Sequence, residues 1–221
     1  IYVPELIFGH LRTSTSFSDD KRVTGGTHGY GAKLTAIFST YFKVEVGDPI
    51  HKKRFEQVYK NNLSIKSVPK ITDYNKNTGF VKITFRPDLK YFKIQKINED
   101  FIKLFERRVY DLAGLTRKNV KVYLNDKKID FNNFEGYVNL YLNKEISSDI
   151  LRIDCTPDSI KYDENRWKII MSKSNGKFKQ ISFVNGIYTA NGGKHVEYIM
   201  NKIISKIKEY IQIKYKTDKI K

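Results

Sequence analysis

A single cysteine, Cys155, occurs in 221 residues. One thiol excludes an internal disulfide framework and a cysteine-built metal site, and it suits a reducing compartment. No apolar run is long enough to span a membrane, and no signal peptide opens the chain. The first residues, Ile1-Tyr2-Val3-Pro4, include no initiator methionine and read as an internal piece of a larger protein. Repeats and low-complexity segments are absent. Acids are scarce beside bases: 24 Asp and Glu against 41 Lys and Arg leave a net charge of +17. That excess favours a polyanionic partner, although a chain rich in Lys, Asn, Ile and Tyr also accumulates lysine through codon bias.

What is present suffices for a folded core. Hydrophobic residues make up 40% of the chain, with 15 tyrosines and 14 phenylalanines, which excludes general disorder. The length fits one large domain or two small ones. The most informative stretch is Thr24 to Leu34, with Gly25, Gly26, Gly29 and Gly31 followed by Lys33. Glycine permits positive φ and close approach of a ligand to the backbone. A glycine-rich turn entering a helix presents free N–H groups at the positive end of the helix dipole, which is an anion cradle. Two common phosphate motifs fail here. A Walker A loop needs lysine directly after the last glycine and then a hydroxyl, but Ala32 separates Gly31 from Lys33 and Leu34 follows. A dinucleotide fingerprint needs G-x-G-x-x-G after a buried strand, but Leu34 takes the third glycine's place and the preceding stretch is polar. A structural turn capping a helix is the competing reading.

Along the chain, Pro4–Leu11 reads as a short helix ending near Gly9 or His10, and Thr13–Asp20 as a hydroxyl- and acid-rich loop. A helix is expected over Ala32–Ser39. Strands follow at Tyr41–Val46, Lys53–Tyr59, Ser64–Val68 and Phe80–Phe85, forming an antiparallel meander with one apolar face. Asn98, Glu99 and Asp100 start a helix whose apolar face is Phe101, Leu104, Phe105, Val109 and Leu112, with Gly114 at its end. Arg107 and Arg108 read as solvated or paired. Strands are expected at Val120–Leu124, Tyr137–Leu142, Leu151–Cys155, Trp167–Met171 and Gln180–Val184, with turns at Asn125-Asp126 and Asn185-Gly186. A long helix then carries Val196, Ile199, Met200, Ile203, Ile204, Ile207 and Ile211 at spacings of three and four. Eight lysines against three acids from Lys194 onward make its polar face basic.

Four ordered blocks resemble the N-terminal ATPase region of eukaryotic-type (type IIA) DNA topoisomerase II. They are Tyr2–Leu11, then Val23–Gly26 with Gly29–Leu34, then Ile37–Thr40, and finally Ile181–Asn185 with Gly192–Val196. Ile83–Leu89 adds a weaker match, and the likeness spans essentially the whole chain. It implies an α+β architecture. Residues 1–132 would be the C-terminal portion of a GHKL (Bergerat) α/β sandwich ATPase domain, the fold shared with gyrase, a heat-shock chaperone and histidine kinases. Residues 133–221 would be the first part of a ribosomal-protein-like transducer domain.

On the family's pattern the glycine loop is an ATP lid. The resemblance assigns ATP contacts to Ser14, Thr15 and Ser16 and to Gly26, Thr27, His28, Gly29, Tyr30, Gly31, Ala32 and Lys33. Two departures stand out. Thr27-His28 replaces the family's usual Arg-Asn, and losing an arginine removes a charge-assisted contact of roughly 1.5–3 kcal/mol. Ser16 stands where the family often has Asn. The resemblance implies ATP and Mg2+ as cofactors, double-stranded DNA and a second copy as partners, no membrane, and a nuclear location. It implies an ATP-dependent enzyme of double-strand passage, which relaxes and decatenates DNA. The alternative is a non-catalytic, DNA-associated dimerisation module. No catalytic or metal-ligating residue falls in the chain on this pattern. The family's catalytic glutamate and magnesium-binding asparagine lie upstream of Ile1, and its γ-phosphate lysine lies beyond Lys221, so the isolated piece is expected to be inactive. Lys208, Lys214 and Lys216 are candidate DNA contacts, with a solvated helix face as the other reading.

Overall fold

The computed structural model describes residues 1–14, 25, 26, 28–142, 150–155, 167–174 and 176–215. The chain divides into two compact units, Ile1–Asn98 and Glu99–Lys221.

The first unit is an antiparallel sheet with helices on one face. Its elements are α1 (Val3–Gly9), α2 (Tyr30–Ile37), β1 (Ser39–Asp48), β2 (Lys53–Lys60), β3 (Ile65–Lys66), β4 (Lys70–Asp73) and β5 (Phe80–Pro87). Pro4 in the first turn of α1 needs no helical hydrogen bond and pre-sets φ there. Alternation along β1 sends Phe42 and Val44 to one face and Lys43 and Glu45 to the other. Phe42, Val44, Phe55, Tyr59 and Ala36 form the buried core, with Phe8 of α1 packed against it. The opposite face carries a charged network in which Glu45 and Glu56 each face both Lys43 and Arg54. Burial pushes the Glu45 carboxyl up, but the hydrogen bonds from Arg54 and Lys43 outweigh it and hold the group below its ordinary range.

The strands do not form the expected meander. β5 pairs with β1, not with β4, in the order β3-β2-β1-β5, and β4 shares the outer edge of β2 with β3. The register explains this: Phe42, Val44 and Val46 stand opposite Phe85, Ile83 and Val81, so β5 extends the apolar face. β3 and β4 are separate because Pro69 has no N–H to give the ladder. Ser67 fills the gap, its Oγ accepting from Val58 N at 3.0 Å.

The second unit contains α3 (Glu99–Leu115), the hairpin β6 (Tyr123–Leu124) and β7 (Lys127–Lys128), α4 (Phe134–Asn139), the antiparallel pair β8 (Ile150–Cys155) and β9 (Trp167–Ser172), the hairpin β10 (Phe183–Val184) and β11 (Ile187–Tyr188), and α5 (Lys194–Tyr215). Two expectations fail here. The stripe Phe101, Leu104, Phe105 and Leu112 is exposed, while Asp111, Ala113 and Gly114 of the same helix are buried. Gly114 lies inside α3, where a Cβ would sit 2.5 Å from Tyr137 Cβ, so its absence admits the tyrosine. The expected strand over Tyr137–Leu142 is instead the helix α4, nucleated by Asn133, whose Oδ1 accepts from Gly136 N at 2.7 Å. Tyr137 then donates to the buried Asp111 carboxylate at 2.7 Å and lies 2.9 Å from the Tyr141 hydroxyl. Burial, before either hydrogen bond, drives the Tyr137 phenol far above its ordinary pKa.

Candidate functional site

The glycine loop enters α2 through Gly29, which is the N-cap at φ 69° and ψ 24°, a left-handed conformation that glycine adopts without penalty. The helix starts at Tyr30, two residues earlier than its expected start at Ala32. Tyr30, Gly31 and Ala32 therefore form its first turn, where N–H groups have no intrahelical acceptor. No side chain among the described residues caps them. Among the described residues, a Cβ built on Gly26 or Gly31 meets nothing within 4 Å. Packing among the described residues does not require glycine at these two positions, and a backbone left this open admits an anion.

Lys33, one turn further, is the unusual group. It is only 2% exposed. Its Nζ donates to Thr13 Oγ1 at 2.6 Å, and Thr13 Oγ1 in turn donates to His10 O at 3.3 Å. No carboxylate among the described residues forms an ion pair with Lys33. Burial lowers its pKa from the ordinary lysine value. A side chain at Gly29 would meet Lys33 Nζ at 3.0 Å and the Thr13 carbonyl oxygen at 3.4 Å. The loop glycine, the lysine and the hydroxyl thus converge. His28 stacks on Tyr30, with ring centres 5.7 Å apart.

This donor set fits a phosphate group: a left-handed glycine, a hydroxyl, a helix start and a buried ammonium that neither a side-chain cap nor a carboxylate among the described residues engages. It does not fit a metal ion, because no group of three or more His, Cys, Asp or Glu gathers among the described residues. Of the residues expected at the site, Gly26, His28, Gly29, Tyr30, Gly31, Ala32 and Lys33 lie on this loop and helix start, and Ser14 follows Thr13. Thr15, Ser16 and Thr27 lie outside the described residues. Sequence reasoning missed Thr13, which it counted only within a hydroxyl-rich loop.

The candidate DNA contacts do not converge in the same way. Lys208 and Lys214 both lie on α5, but six helical residues separate them by about 240° around the axis. Lys208 is half-buried. Lys214 is exposed, and its Nζ lies 5.5 and 5.6 Å from the ring centres of Tyr210 and Tyr215. Lys216 lies outside the described residues.

Comparison with known proteins places this architecture. Residues 133–221 match the DNA gyrase B family. The DNA topoisomerase 2 of Arabidopsis thaliana is 44% identical over 225 residues, covering 100% of this chain and 15% of the relative. That of Saccharomyces cerevisiae is 44% identical over 227 residues, covering 98% of this chain and 16% of the relative. The crystal structure of the ATPase region of Saccharomyces cerevisiae topoisomerase II superposes with a TM-score of 0.85 at 44% identity, over 96% of this chain and 54% of that one. The ATPase and transducer domains of DNA topoisomerase II from Balamuthia mandrillaris superpose with a TM-score of 0.83 at 36% identity, over 97% of this chain and 52% of that one. The chain thus spans about half of the solved regions and about one seventh of the curated relatives. Fold and matches together define the ATPase and transducer region of a GHKL-type ATPase. More narrowly, the chain belongs to the eukaryotic DNA topoisomerase II family.

Proposed function

We propose that this chain is the lid-bearing part of an ATP-dependent type II DNA topoisomerase. The observation that carries this reading is Lys33: a buried ammonium with a hydroxyl partner and no described carboxylate, set behind a left-handed glycine at an uncapped helix start. The first-turn amides of α2 receive a terminal phosphate, Lys33 neutralises it, and Thr13 holds the ammonium in place. Gly31, with open space at its Cβ position, lets the phosphate reach the backbone. ATP, when bound, supplies the hydrolysable phosphoanhydride whose turnover resets the gate. The catalytic base and the magnesium ligands are not among these residues.

The remaining assignments follow from the family. A second copy closes against this one as an N-terminal gate, double-stranded DNA is captured and passed, and the products are relaxed or decatenated circles. The relatives are eukaryotic, which supports a nuclear location. The gyrase B match beginning at residue 133 supports a transducer segment from there on, with the ATPase segment ending at 132. Compactness alone divides the chain earlier, after Asn98.

Equilibrium binding of a non-hydrolysable ATP analogue to the intact protein tests the reading. Saturable binding in the micromolar range, displaced by ATP, supports it. Absence of binding supports the non-catalytic dimerisation module instead, the reading motivated by Thr27-His28 standing where the family has Arg-Asn.

A further inference from the structure

The end of the first unit's sheet carries a feature that the lid does not use. Lys60, Tyr41 and Arg86 are direct cross-strand partners on β2, β1 and β5, so their side chains stand in one row on one face. β5 then runs through Pro87 into a tightly built turn. Asp88 organises it. Its Oδ1 accepts from Tyr91 N at 3.0 Å, its Oδ2 from Asn62 Nδ2 at 3.1 Å, and its own N donates to Phe38 O at 2.8 Å. Ile94 N closes the turn on Leu89 O at 3.0 Å. The frame presents two rings, Tyr91 and Phe92, that lean on Phe38 with centres 4.8 and 5.6 Å from it. Both remain open to solvent, at 59% and 48% exposure.

The segment that carries these rings is basic. Residues 86–96 contain Arg86, Lys90, Lys93 and Lys96 against one acid, Asp88. Both Asp88 oxygens are engaged within the turn. None of Lys60, Arg86, Lys90 or Lys93 forms an ion pair with a described carboxylate. Arg86, Lys90 and Lys93 share one hydrogen-bonded segment with two exposed rings, and Lys90 also feels the Asp88 charge; this combination matches one ligand chemistry better than others. A duplex offers phosphates but hides its base faces, so it would use the cations and leave the rings idle. An unpaired strand uses both, with phosphates on the cations and base faces on the rings.

We propose that Lys60, Tyr41, Arg86, Lys90, Tyr91 and Phe92 form a binding surface for single-stranded nucleic acid, with Tyr91 and Phe92 stacking on unpaired bases. The surface lies within the first unit and does not depend on the nucleotide reading. Lys33→Met, which removes the phosphate contact of the lid, leaves it intact.

The test is photo-crosslinking of the intact protein to an oligothymidylate carrying one 5-iododeoxyuridine, with the adduct mapped by mass spectrometry. The adduct is expected on Tyr91 or Phe92. The double substitution Tyr91→Leu with Phe92→Leu keeps apolar contact with Phe38 and is checked by thermal melting. It is expected to lower affinity for the single strand about tenfold and to leave affinity for a duplex of the same length unchanged. Adducts mapping elsewhere would overturn the proposal. Equal weakening of single strand and duplex would do the same, assigning the surface to the phosphates of a duplex. Loss of self-association with unchanged nucleic-acid binding would assign it to a second copy.

Discussion

Lys33 is the residue on which the nucleotide reading turns, because two physical effects at that position have opposite signs. A buried ammonium with no carboxylate partner among the described residues destabilises the fold, and its lowered pKa expresses that cost. The same charge is what a phosphate would meet. Lys33→Met, which keeps length and apolar character, is therefore expected to leave the melting temperature unchanged or raise stability by about 1 kcal/mol. The same substitution is expected to weaken the ATP analogue at least about tenfold, the value of one charge-assisted contact. Calorimetry measures both, and a variant that loses stability but binds normally would refute the role. The pH dependence follows from the direction of the shift. Between the lowered pKa and the ordinary one, the unfolded chain holds a proton that the folded chain has released, so this group makes stability rise with pH across that window. A bound phosphate favours the charged form, so binding takes up a proton there, and affinity should fall as pH rises through the lowered pKa. In Lys33→Met that alkaline limb should flatten.

At the scale of elements, two helix glycines make opposite predictions. Gly114 in α3 is buried, and a Cβ there would overlap Tyr137 at 2.5 Å. Gly114→Ala gains about 1 kcal/mol of helix propensity but forces apart α3 and α4, a strain of about 1–3 kcal/mol in a packed core. A net loss is expected in chemical denaturation, together with disturbance of the Tyr137–Asp111 hydrogen bond. Gly31→Ala in α2 meets open space, so stability should hold or rise by up to about 1 kcal/mol while nucleotide affinity falls. Equal affinity in Gly31→Ala and the unaltered protein would show that no ligand approaches that backbone. The same elements show what was legible in the sequence. β1, β2 and β5 were, because each alternates in sequence; β1 and β2 bury one side in the core, and the exposed apolar side of β5 follows that of β1 in register. Asn125-Asp126 and Asn185-Gly186 were, since both pairs take positive φ in tight hairpins. The buried side of α3 was not, because helical periodicity marks apolar residues and this helix buries an aspartate and a glycine against a tyrosine. α4 was missed because one side-chain cap from Asn133 overrode an alternating pattern. In the glycine loop, Gly29 and Lys33 were legible as a local motif. Thr13 was not, since its contact closes over 20 residues of chain.

For the whole molecule, the question is whether a net charge of +17 marks a DNA surface or only a composition. Bulk charge raises attraction to any polyanion, whereas a true contact releases counterions at a defined place and contributes about 0.9 to the salt slope per phosphate neutralised on a duplex. α5 offers a discriminating set. Lys206 is tied to Glu209 at 2.8 Å and should contribute little. Lys214 is exposed and held near Tyr210 and Tyr215, which lowers the entropy lost on contact. Lys208 is half-buried on a different side of the helix. If α5 lines the path of a captured duplex, Lys214→Gln should reduce the slope of log affinity against log salt by about one unit. Lys208→Gln should change it less, and Lys206→Gln should leave it near the starting value. Duplex binding measured by anisotropy across a salt series separates these outcomes. If the three variants instead lower affinity by the same small factor at every salt, the helix contributes only general charge, and the lysines of α5 are a solvated face.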